Sequence, residues 1–130
     1  MASIFSKIVN GEIPAYKIAE TDDFLAFLDA FPLVKGHTLV IPKKEIDYIF
    51  DVNDELYTGL WQFSKEIAKA VKLAIPCQRI GVTVIGLEVP HAHIHLIPIQ
   101  RMDDMNFSKP KLNFSKEEME RIATSIRSKL

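Results

Sequence analysis

The stretch "VPHAHIHLIPI" (Val89–Ile99) sets a histidine at every second position and fills the gaps with alanine, isoleucine and leucine. Of the four histidines in the chain, three stand in five consecutive positions: His91, His93 and His95. Period-two alternation is the pattern of a β-strand, whose successive side chains point to opposite faces. The spacing therefore predicts a last strand with the three imidazoles on one face, roughly 7 Å apart along the chain. Ala92, Ile94, Leu96 and Pro98 take the other face, ready to pack on helices. A buried imidazole needs one partner for its N–H and another for its lone pair, so a core does not gather three of them by chance. Two chemistries suit such a row. One is zinc ligation, for which three histidines suffice. The other is nucleophilic and acid–base work, because imidazole attacks phosphorus and titrates near neutrality.

Working outward, the strands come in runs and do not alternate with helices. "YKIAET" and "DFLAFLD" read as two strands around Thr21-Asp22, and "HTLVIP" (His37–Pro42) as a third. "RIGVTVIG" (Arg79–Gly86) reads as a fourth, ahead of the histidine strand. Ser3 is placed to cap a short helix through Val9, stopped by "NGEIP". Leu56, Leu60, Phe63, Ile67, Val71 and Ala74 form one apolar stripe on a long helix capped by Asn53 and ended by Pro76. "SKEE" (Ser115–Glu118) is a capping box for a final helix with the stripe Met119, Ile122, Ile126 and Leu130. Gln100 to Asn113 reads as a polar loop. The expected class is α+β: an antiparallel meander sheet with the helices, the long one foremost, packed on one face.

The bulk composition narrows the setting. A chain of 130 residues with 48% hydrophobic residues buries a real core, and we expect one domain over 1–130. Its motif-bearing part is 3–100, and a C-terminal loop and helix fill 101–130. A net charge of −1 without runs of one sign removes the electrostatic case for nucleic acid or an anionic membrane. The single cysteine, Cys77, allows no intrachain disulfide. "MASIFSKIVNGEIP" lacks the apolar core of a signal peptide, and no apolar run reaches the ~20 residues of a membrane span. A cytoplasmic protein is expected.

His91-Ala-His93-Ile-His95-Leu-Ile97 fits the pattern His-φ-His-φ-His-φ-φ, with φ hydrophobic, and the chain resembles the histidine triad (HIT) proteins of the Hint-like branch. The likeness runs from Ser3 to Ile99. It includes "IFSKIVNGEIPA", "FLAFLDAFP" and "KGHTLVIPKK", the last carrying the fourth histidine, His37. The resemblance implies a HIT fold that binds purine nucleotides and transfers or hydrolyses the α-phosphate. It implies His93 as the nucleophile that forms a nucleotidyl-histidine, with its other nitrogen donating to a carbonyl near His91. His95 would hold phosphoryl oxygens and protonate the leaving group, while His91 and His37 would support both rings. Asp29 would hold the ribose hydroxyls, and Phe5, Ile8 and Phe27 would line the slot for the base. No cofactor and no metal are expected for this route. The partners it implies are a purine nucleotide conjugate, of phosphoramidate or adenylate type, and a second copy of the chain.

One segment departs from the family pattern. Common members carry an Asn/Gly-rich loop ending in Gly-Gln-Ser or Gly-Gln-Thr before the triad, and here a shorter Gly86-Leu87-Glu88-Val89-Pro90 stands in its place. The polar donors for the α-phosphate are thus missing, and Glu88 brings negative charge toward an anion. That departure keeps a non-catalytic nucleotide-binding module open as an alternative, beside a zinc-dependent hydrolase using the three histidines. Tyr57 and Trp61 sit off or beside the main stripe of the long helix, where large aromatics suit a homodimer interface.

Overall fold

The computed structural model describes residues 2–130; Met1, the first residue of the expected domain, lies outside them. Helix α1 (Ile4–Val9) starts at Ser3, whose hydroxyl accepts the Ser6 N–H. Strands β1 (Lys17–Glu20), β2 (Phe24–Leu28) and β3 (Thr38–Pro42) follow. Helix α2 (Asp54–Ala74) comes next, then β4 (Arg79–Thr83), β5 (Ile94–Ile99) and α3 (Lys116–Arg127). Asn53 caps α2 through the Leu56 N–H, and Ser115 and Glu118 form the reciprocal capping box of α3.

All strand pairs are antiparallel, in the order β1-β2-β3-β5-β4. The first three strands form a meander, and the last two form a hairpin docked on it through β5. The strand carrying His95 is therefore an inner strand, paired on one side with β3 and on the other with β4.

The inner strands β2, β3 and β5 are buried on both faces. One face packs on α2 and α3, with Phe24, Ala26, Leu28, Val40, Ile94 and Leu96 meeting Leu60, Ile67, Val71, Met119, Ile122 and Ile126. The opposite face holds Leu25, Phe27, Leu39 and Ile41, covered by Phe5 and Ile8 of α1. This corrects the expectation that the helices share one face. The physical reason is that β2 is apolar throughout, β3 is apolar after Thr38, and both strands are buried at every position, so both of their faces need cover. Leu130 also departs from the reading: it lies beyond the end of α3 and is 60% exposed, so the α3 stripe ends at Ile126.

Candidate functional site

The histidines lie along β3, from His37 just before its start to His91, whose ring meets the carbonyl of Pro42 at its end, and their ring protons follow from the groups around them. His37 precedes β3 and is delivered by Gly36, whose φ of +90° lies in the left-handed region that suits glycine. A Cβ at Gly36 would also sit 2.8 Å from Ile75 Cγ1, against the end of α2. The Leu33 N–H donates to His37 Nδ1 at 3.1 Å, so Nδ1 must present its lone pair and Nε2 carries the proton. That proton is donated to His95 Nδ1, 2.9 Å away. His95 in turn keeps its own proton on Nε2. Burial pushes His37 down to about 4 and His95 down to about 3, so both rings are neutral at pH 7. Although Asp29 Oδ2 lies 3.6 Å from His37 Nε2, the pair is therefore not an ion pair.

His93 is set by its own backbone. Its Nδ1 lies 2.7 Å from the His91 carbonyl oxygen. A carbonyl only accepts, so Nδ1 carries the proton and Nε2 keeps a free lone pair. The rings of His93 and His95 are 4.9 Å apart, centroid to centroid. They are closer than the roughly 7 Å expected along a strand because His93 is not in the strand. The ladder begins only at Ile94. Before it, the chain is held by the Ala92 N–H donating to the Ile46 carbonyl at 2.7 Å and by the bend closed from the His91 N–H to Val89 O.

His91 faces away from its two neighbours into a network of its own. Its Nε2–H donates to the Pro42 carbonyl at 2.8 Å. Its Nδ1 meets the Ser3 hydroxyl, also at 2.8 Å. At the surface Glu45 Oε1 accepts the Ser3 N–H at 2.6 Å and the Ser6 hydroxyl at 2.7 Å. These bonds hold the Glu45 carboxyl down at about 2. Ser3 thus caps α1 and ties it to His91 at once. Sequence reading found the cap and missed Ser6, Glu45 and the second role of Ser3. No local pattern signals a bond across 88 residues.

The remaining predicted residues divide. Asp29 lies beside His37 and His95, with Oδ1 accepting the Phe31 N–H at 2.9 Å. The carboxylate thus opens the "DAFP" turn and borders the histidines together. Burial raises its pKa, with Glu88 adding to the rise, so the charge of Glu88 is felt at the site. Phe5 reaches the histidines, its ring 5.0 Å from His93 and 5.9 Å from His91. Ile8 and Phe27 are buried behind it in the same apolar cluster. Leu87 is 88% exposed. The C-terminal loop contributes a residue that sequence reading did not single out: Phe107 lies edge-on to His95 at 5.0 Å and to His37 at 6.2 Å. Two cavities, of about 350 and 210 Å³, lie away from the histidines, between α2 and α3 and beside Trp61.

Asp29, His37 and His95 bring three potential ligand atoms within 4.8 Å of one another. The set does not fit a metal ion. His37 Nε2 carries the proton shared with His95, and freeing that nitrogen would break the bond from Leu33 to its other side. His91 has both ring nitrogens engaged, with Pro42 and Ser3, so the three triad rings do not converge on one ion.

Comparisons with known proteins agree on one family. A model of the HIT domain matches residues 10–102. The adenosine 5'-monophosphoramidase of Schizosaccharomyces pombe is 35% identical over 133 residues, covering 100% of this chain and 99% of that protein. The adenosine 5'-monophosphoramidase of Saccharomyces cerevisiae is 42% identical over 99 residues, covering 75% of this chain and 62% of that one. Among solved structures, a Hit-like protein from Bartonella henselae superposes with a TM-score of 0.87 at 34% identity, covering 98% of this chain and 96% of its own. Four buried imidazoles, the sheet that carries them and these likenesses lead to one assignment: the chain belongs to the HIT family.

Proposed function

We propose that this chain is a hydrolase or transferase acting at the α-phosphate of purine nucleotide conjugates, of phosphoramidate or adenylate type. His93 Nε2 forms a bond to phosphorus as the bond to the leaving group breaks, and the leaving group takes up the proton on His95 Nε2. Water, or another acceptor, then attacks phosphorus and gives a proton to His95 Nε2 as the bond to His93 Nε2 breaks, which releases the nucleotidyl group and restores both rings. Dividing one displacement into two lowers each barrier. His37 and His91 act as positioning residues, through His95 and through the His91 carbonyl. Asp29 receives the ribose hydroxyls, and Phe5, with Ile8 and Phe27 behind it, forms the wall of the base slot.

The observation that carries the reading is a pair of tautomers. His93 directs its proton to the His91 carbonyl and keeps a free lone pair, while its neighbour His95 is neutral and holds a proton to give. The names of the two monophosphoramidases support the substrate class. In the test, His93→Ala abolishes release of AMP from adenosine 5'-phosphoramidate, and added imidazole restores part of the rate to His93→Gly. An alanine variant that hydrolyses at the wild-type rate ends the proposal. Leu87 and Glu88, standing where polar donors are expected, favour the second reading, a nucleotide-binding module without turnover. Wild-type protein that binds AMP and releases none from the phosphoramidate would select it.

The chain acts as one HIT domain and as a cytoplasmic homodimer in this reading. Exposed Tyr48 and Phe50 continue through Tyr57 to Trp61 as an aromatic run beside the free edge of β4. Sedimentation equilibrium giving the mass of one chain would remove the dimer. Among the described residues no helix is long and apolar enough to cross a membrane.

A further inference from the structure

The loop before the triad offers the substrate phosphate no polar side chain and one carboxylate. The C-terminal loop offers the opposite charge. Its return to the histidines is fixed at two points. Phe107 lies edge-on to His95 and His37, and the Leu112 N–H donates to Pro32 O at 2.8 Å, on the turn that begins with Asp29. Between these anchors Lys111 is exposed, its Nζ donating to Phe107 O at 2.7 Å and lying 5.6 Å from the centroid of the Phe107 ring. The other lysine of this stretch, Lys109, is engaged with Asp103 at 3.1 Å. Among the described residues no carboxylate forms an ion pair with Lys111.

We propose that Lys111 is an anion-binding residue of the site, moving its ammonium from Phe107 O to a phosphoryl oxygen of the nucleotide in place of the donors absent at Leu87 and Glu88. The inference rests on the nucleotide reading given above. Its chemistry is that of a flexible point charge on a long stem, which gains by exchanging a neutral carbonyl for an anionic oxygen. The field of Lys111 already reaches the site, where it adds to the effect of burial on His37 and His95 and opposes burial at Asp29, whose pKa stays raised. Glu88 opposes it from the other side. Phe107 serves as the post that holds the Lys111 ammonium against the ring packed on His95.

The test compares AMP with adenosine, which differ by the phosphate alone, in calorimetric titrations of wild type, Lys111→Ala and Lys111→Arg. A partly exposed charge contact predicts that Lys111→Ala weakens AMP about three- to tenfold. Adenosine affinity stays unchanged, Lys111→Arg keeps most of the AMP affinity, and the gap between the two ligands narrows at high salt. Equal AMP affinity in Lys111→Ala and wild type overturns the proposal while the nucleotide reading stands. Equal weakening of AMP and adenosine also overturns it, and makes the loop a structural element only. Wild-type protein that binds neither ligand overturns both.

Discussion

The two faces of the sheet are built on different rules. Toward α2 and α3 the packing is mainly apolar, with Thr38 and Ser64 bonded to backbone carbonyls, and apolar side chains of similar volume are tolerated. Toward α1 the same strands border four buried histidines, and there each ring nitrogen that touches protein has a chosen partner: Leu33, His95, Pro42, Ser3 and the His91 carbonyl. The apolar face is held by volume. The histidine end is held by proton placement, which no other side chain reproduces. Damage to the first should therefore reduce stability alone, whereas damage to the second should make stability depend on pH.

The largest effect expected is on the apolar face. Ile67, 1% exposed in the middle of α2, becomes a cavity in Ile67→Ala and costs about 2–5 kcal/mol. The loss measured by urea unfolding should be the same at pH 5 and pH 7. A loss that changes between the two would show that the faces are coupled. Next comes acid. Unfolded histidine takes a proton near pH 6.5, while folded His37 resists until about 4 and folded His95 until about 3. Between those limits the unfolded state binds more protons, so stability falls as pH drops from about 6.5 toward about 3 and is complete above that window. The fall is on the order of a few kcal/mol. Asp29, raised by burial, works against it, and Glu45 adds to it at the acid end. His37→Leu should melt lower at pH 7, because Leu33 and His95 lose their partner, and should show a shallower pH slope. A variant slope as steep as that of wild type would remove His37 from the account.

The smallest effect separates two serines with the same local job. Ser115 only caps α3, and Ser115→Ala should cost about 1 kcal/mol. Ser3 caps α1 and also bonds His91, so Ser3→Ala should cost about 2 kcal/mol, the extra part reporting the stranded imidazole. Equal losses in thermal melts would mean that the His91 contact contributes nothing.

This contrast also explains which parts could be read beforehand. The stripe from Leu60 to Val71 and the caps at Asn53 and Ser115 were legible because helix signals repeat over three or four residues. So was the histidine spacing, although it overstated the strand: His91 and His93 lie ahead of the ladder, where a bend and the Ile46 contact hold them instead. The second face of the sheet could have been read from "FLAFL" and "TLVIP", which show no alternation at all. Ser3, Ser6 and Glu45 around His91, and Phe107 beside His95, were out of reach. Their meaning depends on contacts between distant parts of the chain, and a serine or a phenylalanine alone does not announce a distant partner.

The position of β5 has a consequence for how the molecule comes into being. The strand that bears His95 is the last to be synthesised, yet it lies between β3 and β4. Until ribosomes have passed Ile99, β3 keeps a bare row of backbone donors and acceptors, open to any stray extended peptide. Insertion of the final strand closes that vulnerable seam and assembles the imidazole cluster in the same event, so nascent chains truncated before it have neither a finished sheet nor the four rings together.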